Sequence, residues 1–213
     1  MDFEDYKIIE GTITVDDELS TSFGCIGTLD GSSDISAVEK RCEGSVIKTV
    51  KKVNKVAVTL TGHPYVSVLR KVAGMTNKGL KEGVYGYGAD IKSKKIVFTA
   101  KVEDMEGNIK YIAFPNMDDV KGLNIKINND VTEIEMKNFE FSALKDENNM
   151  FYYEALERDL EDEDLKMKWL TNFTPSLVRI SDEVIDNENS ENNENNENNE
   201  NSENNGNNEN NEP

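Results

Sequence analysis

The chain has 213 residues, with 42 acidic against 24 basic side chains and a formal net charge of −18. That balance excludes the basic footprint of a nucleic-acid-binding protein, and no apolar run approaches the roughly 20 residues that a membrane-spanning helix needs. The N-terminus, MDFEDYKIIE, lacks a basic stretch followed by an apolar one, so no secretory signal is expected and synthesis in a cytoplasm is.

Composition changes abruptly near residue 181. Residues 181–213 are almost entirely Asn, Glu and Ser, with eleven acidic residues and no basic ones, which leaves −7 on residues 1–180. Such a tail has too little apolar surface to offset its ordering entropy and is expected to be disordered. Residues 1–180 suffice for one domain with a sizeable core. Cys25 and Cys42 are too few for a disulfide framework, and with His63 the only histidine there is no zinc-ligand spacing, so reduced thiols are expected.

In chain order, residues 6–15 (YKIIEGTITV) read as a first strand with Gly11 as a candidate bulge. Residues 16–44 are rich in Asp, Ser, Gly and Thr without sustained periodicity, and a loop of that length inside a compact domain is mostly functional or disordered. Its apolar Phe23, Ile26, Leu29, Ile35 and Val38 argue for an arm that packs on something. Residues 45–60 (SVIKTVKKVNKVAVTL) form a long strand, basic at Lys48, Lys51, Lys52 and Lys55. For a chain working alone those lysines are a solvated face or a protected strand edge. Residues 61–64 (TGHP) are expected to end this strand. Tyr65, Val68, Leu69 and Val72 then mark one face of a short helix stopped by Gly74.

Residues 83–90 (GVYGYGAD) read as a Gly/Tyr strand and 95–102 (KIVFTAKV) as a clear one. A turn at 106–108 leads to a strand at 109–114, and Pro115-Asn116 to a link toward 122–127. Residues 131–154 (VTEIEMKNFEFSALKDENNMFYYE) read as a β-hairpin turning at 145–149. Its first strand carries a phase slip at Lys137/Asn138, which a bulge at Asn138 would restore. Residues 165–173, with Trp169, are read as a last strand. The expected fold is mainly β: a β-sandwich or barrel of about eight strands with one short α-helix.

No residue set points to catalysis. His63 beside Pro64 suits a cap or core role, and no nucleophile–base neighbourhood, phosphate-cradling glycine loop, HExxH or CxxC is present. The aspartates of 159–164 lack the spaced Asx and central Gly of a calcium loop. No enzyme, no cofactor and no metal are expected.

The elements KIIEGTITV, VAVTLTG followed by a helix, the strands of 83–102 and EFSALKDENNMFYYEAL together resemble the major tail (tail tube) proteins of long-tailed bacteriophages of Gram-positive hosts, over about residues 5–180. The Asn/Glu tail and the acidic stretch 157–164 lie outside that pattern. The resemblance implies a structural virion protein that assembles in the host cytoplasm. Six copies would form a ring, with inner strands joined into a continuous barrel. Rings would stack into the hollow tail tube that conducts DNA without binding it. Implied partners are further copies of the chain and the tape measure, tail terminator and distal tail proteins; no membrane is involved. Under that reading Phe23, Ile26, Leu29 and Ile35 belong to the ring-stacking arm. Lys48, Lys51, Lys52 and Lys55 make inter-subunit charge contacts. Glu133 and Glu135, with Glu140 at the matching parity beyond the slip, face either the lumen or outer solvent. An acidic lumen would repel passing phosphates. Two other readings stay open: a monomeric β-sandwich module binding carbohydrate or a host surface through Tyr85, Tyr87 and Tyr111, and the inner tube of a contractile tail or tail-like bacteriocin.

Overall fold

The computed structural model describes residues 2–89 and 93–180. The chain divides into two units, Met1–Leu177 and Val178–Pro213. Only residues 178–180 of the second are described, so the acidic tail lies outside the described residues.

The first unit is mainly β. Its elements are β1 (Lys7–Val15), β2 (Thr21–Ser22), β3 (Gly24–Cys42), β4 (Ser45–Pro64), α1 (Val66–Val72), β5 (Ile96–Glu103), β6 (Ile109–Asp119), β7 (Lys137–Ala143), β8 (Tyr153–Leu156) and α2 (Glu163–Thr171). The strands form one antiparallel sheet in the order β2-β1-β5-β6-β7-β4-β3, with β8 also beside β6.

The two ends of that order are one run of chain, because Phe23 alone separates β2 from β3. Ser22 pairs with Thr12 of β1 and Gly24 with Pro64 of β4. Between them the Phe23 amide donates to the Gly11 carbonyl (2.9 Å) and its carbonyl accepts from the Tyr65 amide (3.0 Å). The sheet thereby closes on itself, and closure removes the free edges that an open sheet would leave. Glycine is needed at this seam. A Cβ on Gly62 would strike the Cys25 carbonyl, and Gly24 sits at φ +111°. Gly11 likewise makes room for Ile26, while the irregularity in β1 falls between Ile8 and Glu10 rather than at Gly11.

Alternate side chains of the strands point inward and form the core, with Ile13, Phe23, Leu60, Ile96, Phe98 and Phe141 fully buried. α1 plugs one end of the barrel with Val68 and Val72, four residues apart on one face, and stops before Gly74 at φ +69°. The expected strand break at 61–64 is absent, since β4 runs on to Pro64 and closes the seam.

The last strand expected at 165–173 is instead a helix, α2. Asp162 caps it, accepting from the amides of Asp164 and Leu165, and two acidic residues fill its first turn, where the helix dipole favours them. Trp169 and Leu170 are buried in its last turn, and Phe173 follows just past its end and packs on the indole. α2 covers the outside of β1, β5 and β6. Thr12 Oγ1 donates to the Leu170 carbonyl (2.7 Å) and Trp169 Nε1 to the Ile112 carbonyl (3.1 Å). A second small core of Tyr111, Ala113, Trp169, Leu170 and Phe173 results.

The hairpin expected over 131–154 does not form, and this is a correction of topology. β7 pairs with β4 and with the distal part of β6 (Met117↔Ala143), whereas β8 pairs with the proximal part (Ala113↔Tyr153). The two strands therefore lie end to end beside β6, interrupted where residues 144–152 loop out. Pro115, which has no amide to donate, occupies β6 at the gap, as prolines in sheets do at irregular positions. The slip at Lys137/Asn138 is no bulge: β7 starts at Lys137, and its register with β4 runs unbroken through Asn138↔Thr61. Residues 83–89 also form no strand, only an isolated bridge between Thr76 and Gly86; residue 90 lies outside the described residues.

The Asx chemistry expected at 145–149 is what holds the excursion. Asp146 accepts from the amides of Asn148 (2.8 Å) and Met150 (2.9 Å) and from the Tyr153 hydroxyl (2.6 Å), while Asn149 adopts φ +61°. Asp146→Ala would leave three donors without this acceptor. It is expected to cost about 1–3 kcal/mol, measured by urea unfolding.

Candidate assembly surfaces

Two surfaces of the first unit have no partner among the described residues. The first is a ribbon. Residues 16–44, expected as an irregular arm, contain β2 and the 19-residue β3, which pairs along its length with the 20-residue β4. β7 flanks β4 only from Val56 to Gly62. Residues 34–55 thus project beyond the barrel as a two-stranded ribbon, reversed by Glu43 and Gly44, both at positive φ.

Every side chain of the ribbon is exposed apart from the half-buried Lys55 at its root. Apolar pairs nonetheless face each other across it: Val38 opposite Val50, and Ile35 opposite Val53. Side chains on a strand alternate between faces, so these two pairs lie on opposite faces. Val38 is 73% and Ile35 53% exposed. An isolated two-stranded ribbon is marginal in water, and apolar residues on both faces of one mark a surface built for contact. The ribbon carries Lys40, Arg41, Lys48, Lys51, Lys52 and Lys55 against Asp34, Glu39 and Glu43, a net +3. The remainder of residues 1–180 then carries −10. No carboxylate among the described residues lies within 4.0 Å of Lys48, Lys51, Lys52 or Lys55; Lys55 Nζ reaches Ser142 Oγ (3.4 Å).

The second surface is a groove of about 520 Å³ at the barrel end plugged by α1. His63, Leu69, Val72 and Phe139 lie on one side, and the irregular segment 121–136, with Ile127, Ile134 and Met136, on the other. Burial raises the Asp119 carboxyl above the usual range, against the amides of Lys121 and Gly122 that hold it down. Tyr87 braces the segment by accepting from the Leu123 amide (3.3 Å).

The sequence-derived residues separate over these surfaces. Phe23 is a seam residue of the core and not part of an arm; Ile26 and Leu29 pack against the core from the base of β3, and Ile35 alone of the four lies on the ribbon. The shared parity of Glu133, Glu135 and Glu140 does not hold, because 131–136 is not a strand. Glu135 pairs with Lys126 and Glu140 with Lys121, so neither presents uncompensated charge, and Glu133 is exposed on the loop. Tyr85, Tyr87 and Tyr111 form no common pocket. Tyr111 is buried against Trp169, its hydroxyl donating to Glu157 (2.9 Å), and burial together with that carboxylate pushes its pKa up. Tyr85 is stacked by Arg70, 4.0 Å from the ring centre. Cys25 and Cys42 are free and exposed, Cys42 at the ribbon tip.

Among the described residues no group of three His, Cys, Asp or Glu side chains is placed to hold a metal ion, and no helix is long and apolar enough to cross a membrane. The groove was not anticipated from the sequence; its signal was the apolar alternation of Leu123, Ile125 and Ile127 and of Ile134 and Met136.

No protein-family model matches the chain, and no curated protein matches it. Among solved structures it is similar to a chain in the cryo-EM structure of the anti-feeding prophage (AFP) baseplate, 6-fold symmetrised. Identity is 8%, with 68% of this chain and 91% of that chain covered at a TM-score of 0.37. That likeness is too distant to bear on what this chain does.

Proposed function

We propose that the chain is a structural subunit of a phage tail or tail-like tube, without catalytic activity or cofactor, which polymerises as stacked hexameric rings into a hollow conduit for DNA. The observation that carries this reading is the ribbon: a closed barrel sends out a long basic two-stranded arm whose apolar residues are covered by none of the described residues. A contact between two different surfaces of identical copies builds rings where rotation closes and filaments where it does not. The acidic balance of the barrel supports conduction over binding, because affinity for DNA comes chiefly from Lys and Arg on phosphates. The burial of Tyr111 speaks against a glycan-binding module with the three tyrosines as its platform. Tape measure, terminator and distal tail proteins are the further partners this role entails.

Negative-stain microscopy of the purified full-length chain tests the reading. Hollow tubes or six-fold rings are expected, and a persistent monomer at all concentrations would overturn it. Reversing Lys51 and Lys52 to Glu changes only exposed side chains, so melting should stay put. Like-charge contacts at an interface are costly, and the concentration needed for assembly is expected to rise at least about tenfold, near 1.4 kcal/mol per contact. Light scattering against concentration measures it.

A further inference from the structure

We propose that the ribbon of one copy docks in the groove under the 121–136 segment of the next copy, the outer edge of β3 adding to the unpaired backbone of that segment. The inference rests on the reading of the chain as a polymerising subunit and names the receptor of its arm.

Three observations carry it. The first is that 121–136 has the sequence of strands without their bonds. Leu123-Asn-Ile-Lys-Ile-Asn128 alternates as a half-buried strand does, and Ile134-Glu-Met136 repeats that spacing at the other end of the segment. Yet among the described residues 124–136 make no backbone–backbone hydrogen bond. Ile127 is 82% and Ile134 75% exposed. Unpaired backbone beside apolar side chains is a template for strand addition. On the ribbon, β3 offers the complementary feature, since it pairs with β4 on one edge only.

The second is placement. The ribbon tip lies at Ser45 and the groove wall at His63 and Pro64, the two ends of the same 20-residue strand. At about 3.3 Å per residue they are roughly 60 Å apart. A chain cannot bring its own ribbon into its own groove, so a ribbon seated there must belong to another copy. A contact between opposite ends of a subunit stacks copies head to tail without closing.

The third is charge. The ribbon at +3 meets a body at −10, which favours approach of a ribbon to a second copy. The groove rim itself is balanced, because Lys121 and Lys126 neutralise Glu140 and Glu135. Long-range attraction therefore orients the ribbon, and apolar burial with strand pairing holds it.

The test uses two variants of the full chain. In the first, 34–55 are replaced by Asn-Gly joining Ser33 to Val56, which stand directly opposite each other; it keeps the groove and loses the ribbon. The second, Ile127→Asp with Ile134→Asp, keeps the ribbon and spoils the groove at two exposed positions. Should the double variant misfold by circular dichroism, Ile127→Asp alone serves. Wild type is expected to grow long polymers and neither variant alone to do so. Their mixture should form finite complexes that sediment faster than either component, because one ribbon and one groove remain. If the groove variant polymerises like wild type, or the mixture does not associate, the receptor is not this groove and the tube reading stands on wild-type polymers. If wild type itself never polymerises, both are lost.

Discussion

Phe23→Ala is expected to destabilise the first unit by about 3–5 kcal/mol, the usual cost of removing a fully buried phenylalanine. That is a large share of the roughly 5–15 kcal/mol that holds a domain folded. The ring is wholly buried and meets Phe98 and Phe139 edge-on, with centroids 6.4 and 5.6 Å away. Such geometry adds to simple area burial. What sets this position apart is its backbone, which joins β1 to β4 through the bonds to Gly11 and Tyr65. Without the ring to press it into place the seam should open locally before the barrel unfolds. Hydrogen exchange separates this from ordinary core loss. The amides of Phe23 and Tyr65 are expected to lose protection selectively, whereas Phe141→Ala, equally buried but mid-sheet, should cost similar stability without that signature. Equal exchange profiles for the two variants would contradict closure at Phe23.

The same residue shows what the sequence can and cannot reveal. Alternation located most of the barrel strands and the spacing of Val68 and Val72 located α1, because both patterns are set by neighbours along the chain. The partners of each strand are not. Phe23 sits in a Ser/Gly/Thr-rich stretch without periodicity, and its burial arises from strands nearly the whole barrel away in sequence, at Phe98 and Phe139. The ribbon was hidden for a related reason. With neither face of its ribbon part buried among the described residues, β3 has no sustained hydrophobic alternation to display, and residues 16–44 read as a loop. The converse error occurred at 131–136, where alternation is present and pairing is absent. A segment patterned for a partner that lies outside the chain would produce that mismatch. The lysines were identifiable by composition, whereas only the structure shows that none of them pairs with a carboxylate among the described residues.

Trp169→Ala is expected to be as costly as Phe23→Ala, by about 3–5 kcal/mol, for a different reason. α2 has nine residues, too few to hold a helix alone in water, so its stability comes from docking. The indole is the centre of that docking. It packs on Tyr111 at 5.7 Å and Phe173 at 5.0 Å, and its Nε1 proton satisfies the Ile112 carbonyl on the outer barrel wall. Removing it leaves Tyr111 partly uncovered and loosens the Leu170 carbonyl, which leaves Thr12 its bond to Thr99 alone (2.8 Å). For a unit of this size each kcal/mol moves the melting temperature by about 2–4 °C, so a drop of roughly 6–20 °C is expected in a calorimetric scan. Trp169→Phe should recover most of the packing and lose mainly the hydrogen bond, about 1 kcal/mol. Because α2 lies on the outer wall, with the barrel interior walled off by β1, β5 and β6, Phe98 and Ile13 should keep their packing in both variants. Methyl shifts of Ile13 would then stay native below the transition. A loss of interior order in Trp169→Ala would mean instead that the two cores are one cooperative unit.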